Sequence, residues 1–230
     1  MKKVICILSA LALLIAGVAC KQVSKCPEGA VDLGIVMTRE DGTTYSLYWA
    51  ESNLCESGLC GNPKANGDYY SWGEIKPKDC YDSKTYKWYK RSYGDLEDRL
   101  VKYNTNSYYG VVDNRIVLDL EDDVANVTLG GKWRIPTDAE WEALMNQCTW
   151  TLTGGGWSVT APNGNSIYLP KAGYRADTDI YDASLFGYYR SSSLDTDNPM
   201  FAQIVFLQYG NVYRCGMFRT TGFSVRPVTE

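Results

Sequence analysis

Gly130-Gly131-Lys132-Trp133-Arg134-Ile135-Pro136-Thr137-Asp138-Ala139-Glu140-Trp141-Glu142-Ala143-Leu144-Met145-Asn146-Gln147-Cys148 carries almost every signal that a helix start can carry. The Thr137 hydroxyl can cap the first turn while Glu140, three residues on, reaches back to the cap's own N–H in a reciprocal capping box. Asp138 and Glu140 place negative charge at the positive helix end. Pro136 and Ile135, just ahead of the cap, can pack on Trp141 as a hydrophobic staple. Trp141, Leu144, Met145 and Cys148 then repeat at i, i+3, i+4, i+7, which predicts one buried face. The glycines and Trp133-Arg134 read as a strand or turn delivering the chain to the cap, so the segment is a pivot between two halves.

On the N-terminal side, Asp32 to Met37 and Thr44 to Ala50 are β-branched and aromatic runs around Glu40-Asp41-Gly42, a hairpin signal. Glu51 to Asn66 and Pro77 to Tyr109 read as long loops. Loops of that length inside a compact domain tend to be functional, and the density of Trp and Tyr predicts packed rather than unfolded chain. Asp119 to Ala125 is predicted as a short helix capped by Asp119, with Glu121, Asp122 and Asp123 in its first turn. Those acids lack the interleaved Gly and Asn of a Ca²⁺ loop, so the capping role is preferred to a metal role.

On the C-terminal side, strands are expected at Ser166 to Ala172, Phe186 to Ser191, Phe201 to Gln208, Asn211 to Phe218 and Gly222 to Val228, with Tyr209-Gly210-Asn211 turning the third into the fourth. Ala202, Ile204 and Phe206 are expected to face the core under the Thr137 helix while Gln203, Val205 and Leu207 face elsewhere, although the run is apolar enough to be covered on both sides.

The chain has 230 residues, 45% of them hydrophobic, enough for one good core. Lys2 and Lys3 precede an apolar run from Val4 to Val18, too short to span a bilayer, which ends in Gly17-Val18-Ala19-Cys20. Residues 1–19 are therefore read as a signal peptide. The small residues before Cys20 resemble a bacterial lipobox, which makes Cys20 the expected lipidated residue, 20–30 the anchor and tether, and 31–230 the domain. Removing the signal takes two lysines and no acids, leaving 23 − 2 = 21 basic against 27 acidic residues, or −6. That balance argues against a nucleic-acid partner. The absence of histidine excludes a Ser-His-Asp triad, a Cys-His pair and histidine metal sites. Cys26, Cys55, Cys60, Cys80, Cys148 and Cys215 allow fifteen pairings, of which Cys55 with Cys60 is the most plausible local loop. No CxxC knuckle is present, and no cofactor is expected.

Beyond the pivot, the chain contains Gly67-Asp68-Tyr69-Tyr70-Ser71-Trp72-Gly73-Glu74-Ile75-Lys76-Pro77-Lys78, Lys102-Tyr103-Asn104-Thr105, Leu118-Asp119-Leu120-Glu121-Asp122-Asp123, Gly187-Tyr188-Tyr189-Arg190-Ser191-Ser192-Ser193 and Gly222-Phe223-Ser224-Val225-Arg226-Pro227-Val228. With Trp133 to Trp141, these segments resemble, collinearly from about Val31 to the end, the Fibrobacter succinogenes major paralogous (FISUMP) domain family. The pivot alone also resembles formylglycine-generating-enzyme-like domains. The resemblance implies an α+β, C-type-lectin-like fold with antiparallel sheets, one or two main helices and long loops. It also implies a Bacteroidota-type lipoprotein anchored to the outer membrane, its periplasmic or surface side open.

In some members of the resembled family, the stretch between the last two motifs is the binding face, and in lectin-fold proteins diversified by retroelements the corresponding positions are substitutable. Carried onto this chain, the candidates for contact with an envelope or extracellular protein or glycan are Arg190, Asp195, Asp197, Asn198, Met200, Phe201, Gln203, Gln208, Tyr209, Asn211, Tyr213, Met217 and Phe218. The lectin sugar motifs with bound Ca²⁺ do not occur. A formylglycine-type enzyme resembles its relatives in a reactive cysteine pair near the C-terminus, where this chain has Cys215 alone, so a non-catalytic binding module is expected first, a structural or pilus-associated subunit second, and an enzyme last. Cys20→Ser is expected to release the protein from membranes, checked by fractionation of cells expressing each form.

Overall fold

The Thr137 cap forms as its sequence requires. In the computed structural model, which describes residues 25–90 and 99–230, the Thr137 hydroxyl accepts the Glu140 N–H at 3.3 Å and the Glu140 carboxylate accepts the Thr137 N–H at 2.8 Å. The helix it opens, α2 (Asp138–Gln147), follows a shorter one, α1 (Val124–Leu129). Trp141 and Leu144 are fully buried, whereas Met145 and Cys148 are half-buried, because the last turn runs out toward an exposed strand beginning at Thr149. Glu140 is buried too, 1% exposed, and is neutralised by the two-pronged contact of Arg134 at 2.5 and 2.6 Å and by the Tyr45 hydroxyl. Burial pushes the Glu140 carboxyl up, but the hydrogen bonds and charge of Arg134 outweigh it and hold the group below its ordinary value.

The strands follow the chain. β1 (Ala30–Thr38) and β2 (Thr44–Ala50) form the expected hairpin; β3 (Leu54–Cys55) and β4 (Gly58–Leu59) form a minimal one closed by the Cys55–Cys60 disulfide; β5 (Tyr69–Tyr70) lies between the two long loops, and β6 (Tyr89–Lys90) and β7 (Arg99–Leu100) are brief extended pieces of the second. After α2 come β8 (Thr149–Leu152), β9 (Gly156–Thr160) and β10 (Ser166–Pro170), then β11 (Tyr174–Ala176) and β12 (Asp179–Tyr181), then β13 (Gly187–Leu194), β14 (Phe201–Gln208), β15 (Asn211–Phe218), β16 (Phe223–Ser224) and β17 (Val228–Thr229). They make three main sheets, ordered β1-β2-β17, β10-β9-β8 and β15-β14-β13-β16-β5, antiparallel except where β13 meets β16. Among the described residues the fold is thus mostly antiparallel β with two α-helices. No helix among the described residues is long and apolar enough to cross a membrane. Residues 1–19 and Cys20 lie outside the described residues.

Four expectations need correction. Asp119 makes no capping bond; its carboxylate is drawn to Lys102 and Arg115, a 3-10 turn covers Leu120–Asp122, and α1 is capped instead by Asp123, which accepts the N–H groups of Ala125 and Asn126. The closing strand from Gly222 to Val228 is broken into β16 and β17, since Pro227 has no N–H for a ladder. β8, β9, β11 and β12 were not foreseen. In β14 the faces are exchanged: Val205 and Leu207 join Trp141 and Leu144 in the main core, Ala202 packs in the cluster beneath α1, and Ile204 with half-buried Phe206 packs on the opposite side of the sheet against Tyr188 and Phe223.

Three buried arginines hold the irregular segments, and none has a carboxylate in contact among the described residues. Arg219 donates to the carbonyls of Lys102, Tyr103 and Pro199 and to the Tyr86 hydroxyl. Arg226 donates to the carbonyls of Ala50 and Tyr168 and to Asn53 Oδ1. Arg190 donates to the Thr221 carbonyl at 2.6 Å and the Phe218 carbonyl at 3.4 Å, its guanidinium 4.3 Å from the centre of the Phe223 ring. Burial pulls Arg190 down to about 9 and Arg226 to about 10, so both stay charged at neutral pH.

Thr137→Ala is expected to cost about 1 kcal/mol, and Trp141→Ala about 3–5 kcal/mol. Arg134→Ala strands a buried carboxylate and is expected to cost about 3–5 kcal/mol at pH 7. Because the folded pKa of Glu140 is depressed, its contribution is present above the unfolded value of about 4.3 and is lost as pH falls through the folded value. Without Arg134 the burial that pushes the Glu140 carboxyl up is no longer outweighed, so the variant takes up a proton on folding as pH falls, and the gap between wild type and Arg134→Ala in urea denaturation should narrow from pH 7 to pH 4; a constant gap would show that the pair is not electrostatic.

Candidate functional site

The β14–β15 hairpin turns through Tyr209 and Gly210 with φ of 47° and 83°. These are the values of a type I′ turn, which favours Asn-Gly because both central residues sit in the left-handed region. A tyrosine there is strained, at a cost of about 1–2 kcal/mol relative to glycine. It is also 77% exposed, the most exposed large apolar side chain among the described residues. Its ring meets Phe186 edge-on at 5.1 Å.

Alternation along β15 sorts the remaining candidates. Asn211, Tyr213, Cys215 and Met217 sit opposite Gln208, Phe206, Ile204 and Ala202, on the sheet face turned away from α2. Val212, Arg214, Gly216 and Phe218 take the α2 side, where Arg214 pairs with Asp138 at 2.5 Å and Glu142 at 2.7 Å. The outer face is a chain of aromatic contacts: Tyr181 stacks on Tyr174 (5.4 Å), Tyr174 meets Tyr188 (5.1 Å), Tyr188 stacks on Phe206 (4.6 Å), and Phe206 lies 6.1 Å from Tyr213. Phe186 joins Phe206 to Tyr209.

The expected contact residues therefore do not form one patch. Gln208, Tyr209, Asn211 and Tyr213 gather at the hairpin tip, whereas Asp195, Asp197, Asn198, Met200, Phe201, Met217 and Phe218 lie toward its base, about 20–25 Å away along the strand. At the base, Asp195 Oδ1 accepts the N–H groups of Asp197 and Asn198, and Asn198 Oδ1 accepts that of Met200, so these two side chains shape their own turn. Gly216 leaves room for that turn: a Cβ would meet the Asp195 carboxylate and displace it. Asp197 and Phe218 are exposed, and Gln203 is half-buried opposite Gly216. Arg190 is not a surface contact at all. It is 1% exposed, because β13 is interior to the sheet and the guanidinium is turned inward to carry the Phe218 and Thr221 carbonyls, with Nε and Nη1 left without partners.

Leu185 and Phe186 extend the tip patch beside Tyr209, and Tyr181 joins the outer face through Tyr174; none was among the candidates, because they precede the stretch between the two motifs. Among the described residues, two other gatherings of possible ligand atoms exist. Asp119, Glu121 and Asp122 surround the Lys102 ammonium at 2.7, 3.4 and 2.6 Å, so a cation already occupies them. Cys80, Asp82 and Asp177 bring a thiol and two carboxylates within 4.8 Å of one another at the loop edge. Cys148 packs against the main core and Cys215 in the outer cluster, and burial pushes both thiols up. No family model matches this chain, and no curated protein or solved structure is found to match it.

The strained tip yields a measurable trade-off. Tyr209→Asn supplies the residue the turn prefers and is expected to stabilise the fold by about 0.5–1 kcal/mol, read from the thermal and urea midpoints. A loss of stability instead would mean that the exposed ring contributes more through Phe186 than the backbone strain costs.

Proposed function

We propose that this chain is a non-catalytic, lipid-anchored protein of the cell envelope whose domain, of FISUMP type and C-type-lectin-like in fold, binds a protein or glycan ligand at the tip of the β14–β15 hairpin and the adjoining outer sheet face. One observation carries the reading: a large aromatic side chain is held mostly exposed at a backbone conformation that disfavours it, at the end of an already aromatic surface. Strain of this kind persists where surroundings enforce it and concentrates at ligand clamps and active sites. Tyr is a residue type that anchors interfaces, since it offers a broad apolar face and a hydroxyl for few rotatable bonds. A rigid ladder beneath it lowers the ordering cost of association. The non-catalytic part is supported by the two late thiols lying in separate clusters with raised pKa, the reverse of an activated pair.

A second reading, a structural or pilus-associated subunit, draws on the edge position of β15, which has no strand beyond it among the described residues. An open edge can accept a strand from a neighbour. The two readings separate in one experiment. The purified protein is applied to glycan and protein arrays, and partners are retested with Tyr209→Ala/Tyr213→Ala at the tip and Asp197→Ala/Phe218→Ala at the base. Tip binding predicts at least a tenfold loss for the first pair, about 1.4 kcal/mol, and little change for the second. No array partner, together with concentration-dependent self-association abolished by a proline at Arg214, would favour the structural subunit.

A further inference from the structure

The geometry points to a subsite for one carboxylated sugar ring, a uronic acid residue of an acidic polysaccharide, in the cleft beside Tyr209; this rests on the hairpin tip being the binding surface. The cleft has a volume of about 220 Å³ and is lined by Leu152, Lys171, Ser184, Leu185, Phe186 and Tyr209. That is below the roughly 300–1,000 Å³ of sites for drug-sized ligands, and suits a single ring.

Its walls come from four separate segments: the end of β8, the residue after β10, the connection from β12 to β13, and the hairpin tip. The fold joins them through main-chain bonds, from Lys171 N–H to the Gly155 carbonyl (3.0 Å), from Ser184 N–H to the Lys171 carbonyl (2.9 Å) and from Gly173 N–H to the Phe186 carbonyl (3.0 Å). Two lining residues, Ser184 at φ 67° and Tyr209 at φ 47°, hold left-handed backbone that neither prefers. The cleft is thus built by the fold and stands at the end of the aromatic face already described.

The lining chemistry selects the ligand. Phe186 and Tyr209, at 83° to each other, form an apolar corner against which the C–H face of a pyranose can lie. Among the described residues, Lys171 is the one charged residue of the lining, and no carboxylate opposes it there. Its ammonium spends one donor on the Gly154 carbonyl at 3.3 Å and has three in all, so it can also take a ligand carboxylate. Ser184 adds a hydroxyl that can donate and accept. The amides of Lys171, Ser184, Leu185 and Phe186 are spent on internal carbonyls. A peptide C-terminus, which is usually captured by free main-chain amides, therefore finds no nest here, while a ring rich in hydroxyls meets side-chain partners suited to it.

The test is calorimetric titration of the purified full-length protein with tetragalacturonate, with its fully methyl-esterified form, and with a hyaluronan tetrasaccharide. At least one uronate should bind, and the methyl ester should bind at least tenfold more weakly than free tetragalacturonate if that is the ligand. Lys171→Gln should erase the preference for charge, Lys171→Arg should keep it, and Tyr209→Ala should weaken acidic and esterified forms alike, with far-ultraviolet circular dichroism unchanged in all three. Equal binding of acid and ester, or uronate binding indifferent to Lys171→Gln, would overturn the carboxylate subsite and leave the hairpin-tip reading standing. Failure of every oligosaccharide alongside a protein partner that Tyr209→Ala/Tyr213→Ala abolishes would do the same. If no array partner responds to the tip variants either, the binding reading falls with it.

Discussion

Long loops can pack inside a domain only if their buried carbonyls find donors, and here guanidinium groups supply them. Arg219 gathers Lys102, Tyr103 and Pro199 around one side chain, and Arg226 gathers Ala50, Asn53 and Tyr168 around another. In sheets and helices this accounting is done by regular ladders. In the loop-rich regions each arginine replaces several ladder bonds at once, and its planar fork reaches carbonyls on segments far apart in sequence. Because the partners are neutral carbonyls rather than carboxylates, the desolvation cost is met by several charge-assisted hydrogen bonds and by ring faces, with Trp72 lying 4.7 Å from the Arg219 guanidinium.

From that constraint follows the rigidity of the outer sheet face. Arg190 fixes the chain leaving β15 by holding Phe218 and Thr221, and Arg214 clamps the same strand to α2 through Asp138 and Glu142. The hairpin is therefore secured at its base and middle while its tip projects. Tyr209 can occupy an unfavourable backbone region there because the register on either side of it is already set by the β13–β14 and β14–β15 ladders.

What could be read in the sequence was what is local. The α2 cap depends on residues three apart, the β1–β2 and β14–β15 hairpins on their turns, and the Cys55–Cys60 bridge on a five-residue separation. The buried arginines were not legible: an arginine in a strand usually reads as a surface charge, and nothing near Arg219 marks Lys102 or Tyr103 as its partners. The face of β14 was misassigned for a related reason, since a strand covered on both sides has no polar side to orient it. At the candidate site, Tyr209 and Tyr213 fall between two motifs of the resembled family, which is what singles them out, but Lys171, Ser184 and Phe186 come from connections that meet only in space, and nothing around Arg190 in Gly187-Tyr188-Tyr189-Arg190-Ser191 signals that it turns inward.

The placement of β14 bears on how the protein survives its own synthesis. Phe201-Ala202-Gln203-Ile204-Val205-Phe206-Leu207-Gln208 is apolar, uncharged and free of proline and glycine, the composition of a cross-β zipper. In the native sheet it is interior, shielded by β13 on one side and by β15 on the other, and it is β15 that carries a charge, Arg214, on the outermost strand. The hairpin partner thus acts as a gatekeeper against amyloid-like stacking. Whatever loosens β15, whether proteolytic nicking at the tip or loss of the Arg214 clamp, uncovers this self-adhesive segment.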